Sequence, residues 1–268
     1  EVVQIPEQYV EKNKELRGIW FSTVVNIDIA KMEDIASYQA YLDDVIMTVK
    51  KYHFNTIVFQ VRPSSDAFYQ SELNPWSRFV TGEEGKSPGF DVLEYVVLKA
   101  KEHGIRIHAW INPYRISTQK LQDIPGEPSK EAYLKSLDDL NFAKRNPDCV
   151  IYTKEGKLIL DPATQKVRDF VSDSVLEIAE KYDIKAVHID DYFYPYEGFK
   201  SGQDQATFLE HGAGMTLADW RRSNVNTMVQ SVSEAIRSYN LRENKRIQFG
   251  ISPFGVWCNI GSNQCVAN

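Results

Sequence analysis

A chain of 268 residues, 43% hydrophobic and 25% charged, holds enough apolar material for one large core or two small ones, and no apolar run approaches the roughly 18 residues that a membrane-crossing helix needs. Its formal net charge of −6 argues against a nucleic-acid backbone as partner, because that contact asks for clustered Lys and Arg. Cys149, Cys258 and Cys265 include no CxxC pair, so neither a zinc knuckle nor a disulfide framework is signalled, and a Cys258–Cys265 bridge is the one pairing left open.

RGIWFSTV (17–24) is rich in β-formers, and DIASYQAYLDDVIMTVKKYH (34–53) follows with Ile35, Tyr38, Leu42, Val45, Ile46 and Val49 at helical spacing. NTIVFQVRP (55–63) is a near-continuous apolar strand stopped by proline, and FDVLEYVVLKAKEHG (90–104) is an amphipathic helix closed by Gly104. IRIHAWINP (105–113) repeats the proline-ended strand. A long excursion over 114–163 then contains a predicted helix (129–146) and a hairpin (150–162), and connections of that length inside a compact domain tend to be functional. TQKVRDFVSDSVLEIAEKYD (164–183) and IKAVHID (184–190) give the next helix and strand. Thr216 with Asp219 three residues on reads as a capping box for a helix to about Tyr239, and RIQFGISPFGVW (246–257) supplies a fifth strand.

Repeated β–α units with apolar strands predict a parallel sheet covered by helices. The first strand carries no GxGxxG turn, which disfavours a doubly wound dinucleotide fold. The expectation is therefore an α/β fold of (β/α)8 TIM-barrel type. About five strands are countable where a barrel needs eight, so the barrel is expected to be incomplete at its C-terminal end. Residues 1–15 read as an N-terminal extension and 16–268 as the barrel domain.

Barrel enzymes place their chemistry beyond the carboxyl ends of the strands, and the polar residues gather there. Arg62 can clamp an anion or sugar hydroxyl, or staple a loop to the rim through a salt bridge. Trp110, Asn112, Tyr114 and Arg115 combine ring faces for stacking on sugars with hydrogen-bond donors. In HIDDYFYP (188–195), His188 and Asp190 share one strand face. A turn at Tyr192 can bring Asp191 into the same cleft. The alternative makes Asp190 a rim carboxylate bonded to Arg62 or Arg115, and Asp191 a solvated cap. A metal at His188 and Asp190 needs a third ligand, and His53, His103, His108 and His211 form no second cluster, so no metal or other cofactor is expected.

LRGIWFSTV, FNTIVFQVRP, GIRIHAWINPYR, LDP followed by VRDFV, HIDDYFYP and ISPFGVW together resemble the bacterial glycosyl-hydrolase-like family ten, over about Leu16 to Trp257. That resemblance implies a barrel glycosidase, exported or attached to the cell envelope, hydrolysing cell-wall glycan as a polysaccharide or oligosaccharide substrate. It also implies a domain continuing past residue 268. The opening at Glu1 is compatible with an export signal already removed. A more distant likeness to the α-amylase superfamily puts a nucleophilic aspartate at Asp190, but the next strand end, Gly250-Ile251-Ser252-Pro253-Phe254, lacks that superfamily's acidic residue. The adjacent aspartates are similar instead to the pair in some N-acetylhexosaminidases. By that analogy Asp191 is the general acid/base and Asp190 orients the 2-acetamido group. Arg62, Trp110, Asn112, Tyr114, Arg115, Asp161, His188, Tyr192 and Ser252 are then the candidate sugar contacts. Repulsion between the two carboxylates is expected to raise the pKa of one. The rival expectation is a non-catalytic glycan-binding barrel.

Overall fold

The computed structural model describes residues 15–126, 128–199 and 202–253. In chain order these form β1 (Gly18–Phe21), α1 (Ile35–Lys51), β2 (Thr56–Arg62), α2 (Arg78–Thr81), α3 (Val92–Glu102), β3 (Arg106–Ile111), α4 (Lys130–Ser136), α5 (Phe142–Arg145), β4 (Val150–Tyr152), β5 (Leu158–Leu160), α6 (Gln165–Lys181), β6 (Ala186–Ile189), α7 (Gln205–His211), α8 (Leu217–Glu243) and β7 (Gln248–Ile251).

Local chemistry sets the helix ends. Asp34, Asp91 and Thr216 accept from the backbone N–H three residues on, at 2.8, 2.9 and 3.1 Å, satisfying donors that the first turn leaves free. Gly104 follows α3 at φ +70°, a left-handed position where glycine meets no Cβ penalty. The buried face of α1 is Tyr38, Leu42, Ile46 and Val49, the 3.6-residue period seen in the sequence. Each such fully buried aliphatic side chain contributes about 1.5–3 kcal/mol.

The main sheet has the order β1-β2-β3-β6-β7, and each neighbouring pair is parallel. Sequential order is how a barrel winds, whereas a doubly wound sheet reverses direction at a switch point. The fold is therefore α/β of the barrel type, with no closed barrel among the described residues. Register runs level across the sheet. Trp20, Val58, His108, Ala186 and Gln248 form one row, and Gln60, Trp110, His188 and Gly250 the row above it. Both rows belong to the inner face. There Trp20, Val58, His108 and His188 line an open depression of about 770 Å³. The alternate residues Phe59, Ala109 and Val187 are buried on the helix side.

The sequence reading needs three corrections in the elements. The helix expected over 129–146 is two short helices, α4 and α5. Between them Asp138 Oδ1 accepts from the Leu140 N–H at 2.9 Å, and Asn141 Oδ1 from the Ala143 N–H at 2.9 Å. Short polar side chains thus take the donors a continuous helix needs. Helices α2 and α7 were not anticipated. The fifth strand is Gln248–Ile251, and the rest of its expected span from Phe254 onward, with Cys258 and Cys265, lies outside the described residues.

Candidate active site

Backbone bonds from Asn112 N–H to Arg62 C=O (2.9 Å) and from Ser252 N–H to Ile189 C=O (3.0 Å) carry the ladder one residue past the strands. Asn112, Asp190 and Ser252 are thereby set level at the carboxyl end of β3, β6 and β7. Asp190 is 8% exposed. Its carboxylate accepts from Trp110 Nε1–H at 3.0 Å, from Asn112 Nδ2 at 3.1 Å and from the Tyr192 N–H at 3.2 Å. The orientation of Asn112 is forced. Its Oδ1 accepts from the backbone N–H of Tyr114 (3.2 Å) and Arg115 (2.8 Å), so only its NH₂ can face Asp190.

Burial raises the Asp190 pKa, and Arg115 with the surrounding donors opposes it. The expected source of that shift was the adjacent aspartate; the largest cause is desolvation, and it acts on Asp190. Asp191 is half-exposed and accepts from the Tyr196 hydroxyl. The Arg115 guanidinium donates to Pro63 C=O at 2.8 Å and lies 5.1 Å from the centre of the Tyr192 ring. That ring meets Tyr196 edge-on at 5.0 Å. His188 Nε2 stands 2.6 Å from Ser252 Oγ, and burial lowers the His188 pKa.

The candidates Trp110, Arg115, His188, Tyr192 and Ser252 are half-exposed. Four other candidates, Arg62, Asn112, Tyr114 and Asp161, are instead buried and bonded within the protein. Arg62 is fully buried. A bulge between Gln60 and Arg62 pairs Arg62 with Ile111, and one extra residue turns a side chain to the opposite face of a sheet. Its guanidinium therefore sits 4.8 Å from the centre of the Phe170 ring on α6 and donates to Asn74 Oδ1 (3.0 Å) and Asn112 C=O (2.6 Å). Desolvation lowers its pKa to about 10. Asn112 is fully buried beneath Asp190, and Tyr114 lies buried beside β5, bonded through its C=O to the Leu160 N–H at 2.8 Å. Asp161 is buried at the start of α6, accepting from the Ala163 N–H (2.9 Å) and the Thr207 hydroxyl (3.2 Å).

Two residues at this end escaped the sequence reading. Trp20 meets Trp110 and His188 edge-on at 4.9 and 4.7 Å, and the period-2 pattern of β1 was the signal for its inward direction. Tyr196 left no such signal, because a loop has no period. Among the described residues, no three His, Cys, Asp or Glu side chains are grouped to hold a metal ion.

The model of the family described as Glycosyl hydrolase-like 10 matches residues 15–268. The chain belongs to that family. It is 35% identical over 269 residues to Glycosyl hydrolase YngK of Bacillus subtilis (strain 168), covering 96% of this chain and 48% of that protein. With Glycosyl hydrolase DigH of Escherichia coli (strain K12) it shares 30% identity over 265 residues, covering 95% and 58%. The chain thus spans about half the length of these curated relatives. Among solved structures, alpha-L-fucosidase isoenzyme 2 from Paenibacillus thiaminolyticus superposes with a TM-score of 0.51 at 13% identity, covering 84% of this chain and 31% of that one. The alpha-galactosidase from Lactobacillus brevis gives 0.50 at 12%, covering 91% and 28%. At such identities these two speak to the fold, which is of TIM-barrel type.

Proposed function

We propose that this chain carries the catalytic centre of a glycoside hydrolase acting on an N-acetylated glycan of the peptidoglycan type. The observation that carries the reading is the Asp190 carboxylate, held by Trp110, Asn112 and the Tyr192 N–H at the carboxyl end of the fourth parallel strand, in a chain of the Glycosyl hydrolase-like 10 family. Burial raises the Asp190 pKa, and the three donors with Arg115 act against it in favour of the ionised form. An anion fixed there supports the positive charge that builds as the glycosidic bond breaks, directly or through the N–H of a 2-acetamido group. Asp191, adjacent in the chain and reaching solvent, supplies the proton. In the substrate-assisted form, Asp191 protonates the leaving oxygen while the acetamide oxygen attacks the anomeric carbon. The Asp191 carboxylate then takes a proton from the water that opens the cyclic intermediate. Such a glycan lies outside the cytoplasmic membrane, so export of the protein is part of the same proposal.

The test is cleavage of purified, peptide-free glycan strands. Asp191→Asn is expected to lose ~10²–10⁴-fold in kcat, as removal of a general acid does. Near wild-type cleavage by that variant would sink the acid/base assignment. Fluorinating the acetamido methyl should slow a substrate-assisted reaction steeply, whereas a 2-fluoro sugar leaving a covalent adduct on Asp190 would make Asp190 the nucleophile. Tight binding without turnover by the wild type would establish a glycan-binding barrel instead.

A further inference from the structure

Gly250, His188 and Ser252 form a unit that the chemistry at Asp190 and Asp191 leaves unused. Gly250 is the register partner of His188, and a Cβ there would stand 2.9 Å from His188 Nδ1 and 3.2 Å from Cε1. A residue without a side chain is what lets the imidazole lie against β7. Trp20 meets the ring edge-on at 4.7 Å. So held, the imidazole reaches Ser252 Oγ at 2.6 Å. The Ser252 N–H is already spent on Ile189 C=O, so its hydroxyl is what it can offer a ligand. The side-chain donors to Asp190 come from β3 (Trp110) and the residue just after it (Asn112), whereas Ser252 stands on the β7 side.

We infer that Ser252 is a specificity-determining contact for a hydroxyl of the sugar seated against Asp190, and that His188 is the positioning residue that fixes its rotamer. This rests on the glycosidase reading. A neutral imidazole either accepts the serine proton, leaving the oxygen lone pairs for a sugar O–H, or donates from Nε2, leaving the serine proton to be given. In both states the pairing uses one bonding direction of the hydroxyl and aims the remaining two. Without it, Oγ distributes over three staggered positions.

The experiment measures turnover of peptide-free glycan strands by the intact protein, and binding of chitotetraose to it in an Asp191→Asn background. Ser252→Ala and His188→Ala are each expected to raise KM and weaken binding about tenfold, the loss of one hydrogen bond, with kcat within about twofold. The double variant should be no worse than either single one, because the two act as a unit. Gly250→Ala should reproduce His188→Ala by displacing the ring, and His188→Gln, whose amide can occupy the place of Nε2, should restore much of the loss. Additive losses in the double variant, a fall in kcat at unchanged KM, or a Gly250→Ala protein equal to wild type would overturn the inference. If His188→Ala fails to fold, Ser252→Ala and Gly250→Ala decide alone. Normal cleavage with no effect of Ser252→Ala rejects this inference only. A wild type that neither binds nor cleaves glycan rejects the glycosidase reading and the inference with it.

Discussion

Asn112 directs Asp190 through a chain of forced choices. Two backbone N–H groups occupy its oxygen, so its NH₂ must face the carboxylate. Asn112→Asp replaces that donor with a second carboxylate against Asp190, and two close anions raise each other's pKa. If an ionised Asp190 is needed, the acid limb of kcat/KM should move upward by about one to two pH units, which a pH–rate profile reads directly. A carboxylate away from this chemistry offers a stability test. Asp66 is buried, and desolvation raises its pKa from 3.8 to about 6 despite bonds from the Ser77 hydroxyl (2.6 Å) and the Ser64 N–H (3.0 Å). The native state thus holds this proton more tightly than the unfolded chain. The stabilisation is fully present below pH 3.8 and is lost as pH rises through about 6, on the order of 3 kcal/mol in all. Asp66→Asn removes the titration. Denaturant unfolding at several pH values should show the variant gaining on the wild type between pH 4 and 6.5, and a constant difference across that window would refute it.

Strand β2 shows how one element fixes both the site and the core. Its bulge turns Arg62 away from the cleft, where it bridges Asn74, the C=O of Asn112 and the Phe170 ring. Lysine cannot reproduce a planar fork held at several points. Arg62→Lys is therefore expected to lower stability by about 2–4 kcal/mol, seen as a reduced denaturant midpoint, while KM per folded molecule stays near wild type. A raised KM at unchanged stability would return Arg62 to the sugar site. The β–α units were legible because strand and helix periods are local properties of sequence, and the caps at Asp34, Asp91 and Thr216 are read within four residues. The bulge was not. A one-residue register shift leaves Val61 and Arg62 looking like any continuation of an apolar strand, yet it decides which face the arginine serves. The same limit applies to α4 and α5, where Asp138 and Asn141 interrupt an otherwise helical pattern through bonds that the fold supplies, including Asn141 Nδ2 to Ser65 C=O at 3.2 Å. The strand-end rule placed Asp190 and its neighbours at the carboxyl end, where the structure has them, but burial separated Asn112, Tyr114 and Asp161 from solvent, and burial is a tertiary property.

On the scale of the whole molecule, five parallel strands curve without closing among the described residues, and β1 and β7 form the two edges. Trp20 on the inner face is 44% exposed, and Ile251 at the β7 edge 40%. Edge strands carry unpaired N–H and C=O groups that can pair with another chain, and Trp20 and Ile251 add exposed apolar side chains at the two edges. This 268-residue chain, prepared by itself, is therefore expected to bind a hydrophobic fluorescent dye in its native state and to self-associate as concentration rises. Trp20→Lys should weaken both behaviours, since it places a charge at the exposed β1 end of the open row. The substitution should alter stability little, because the Trp20 side chain is only half buried and leaves no closed cavity behind. Sedimentation velocity over a concentration series, with dye titration of both proteins, measures this. A chain that stays monomeric and dark to the dye would mean that the inner face is covered in solution, and Trp20 would then have to be a core residue whose replacement is strongly destabilising.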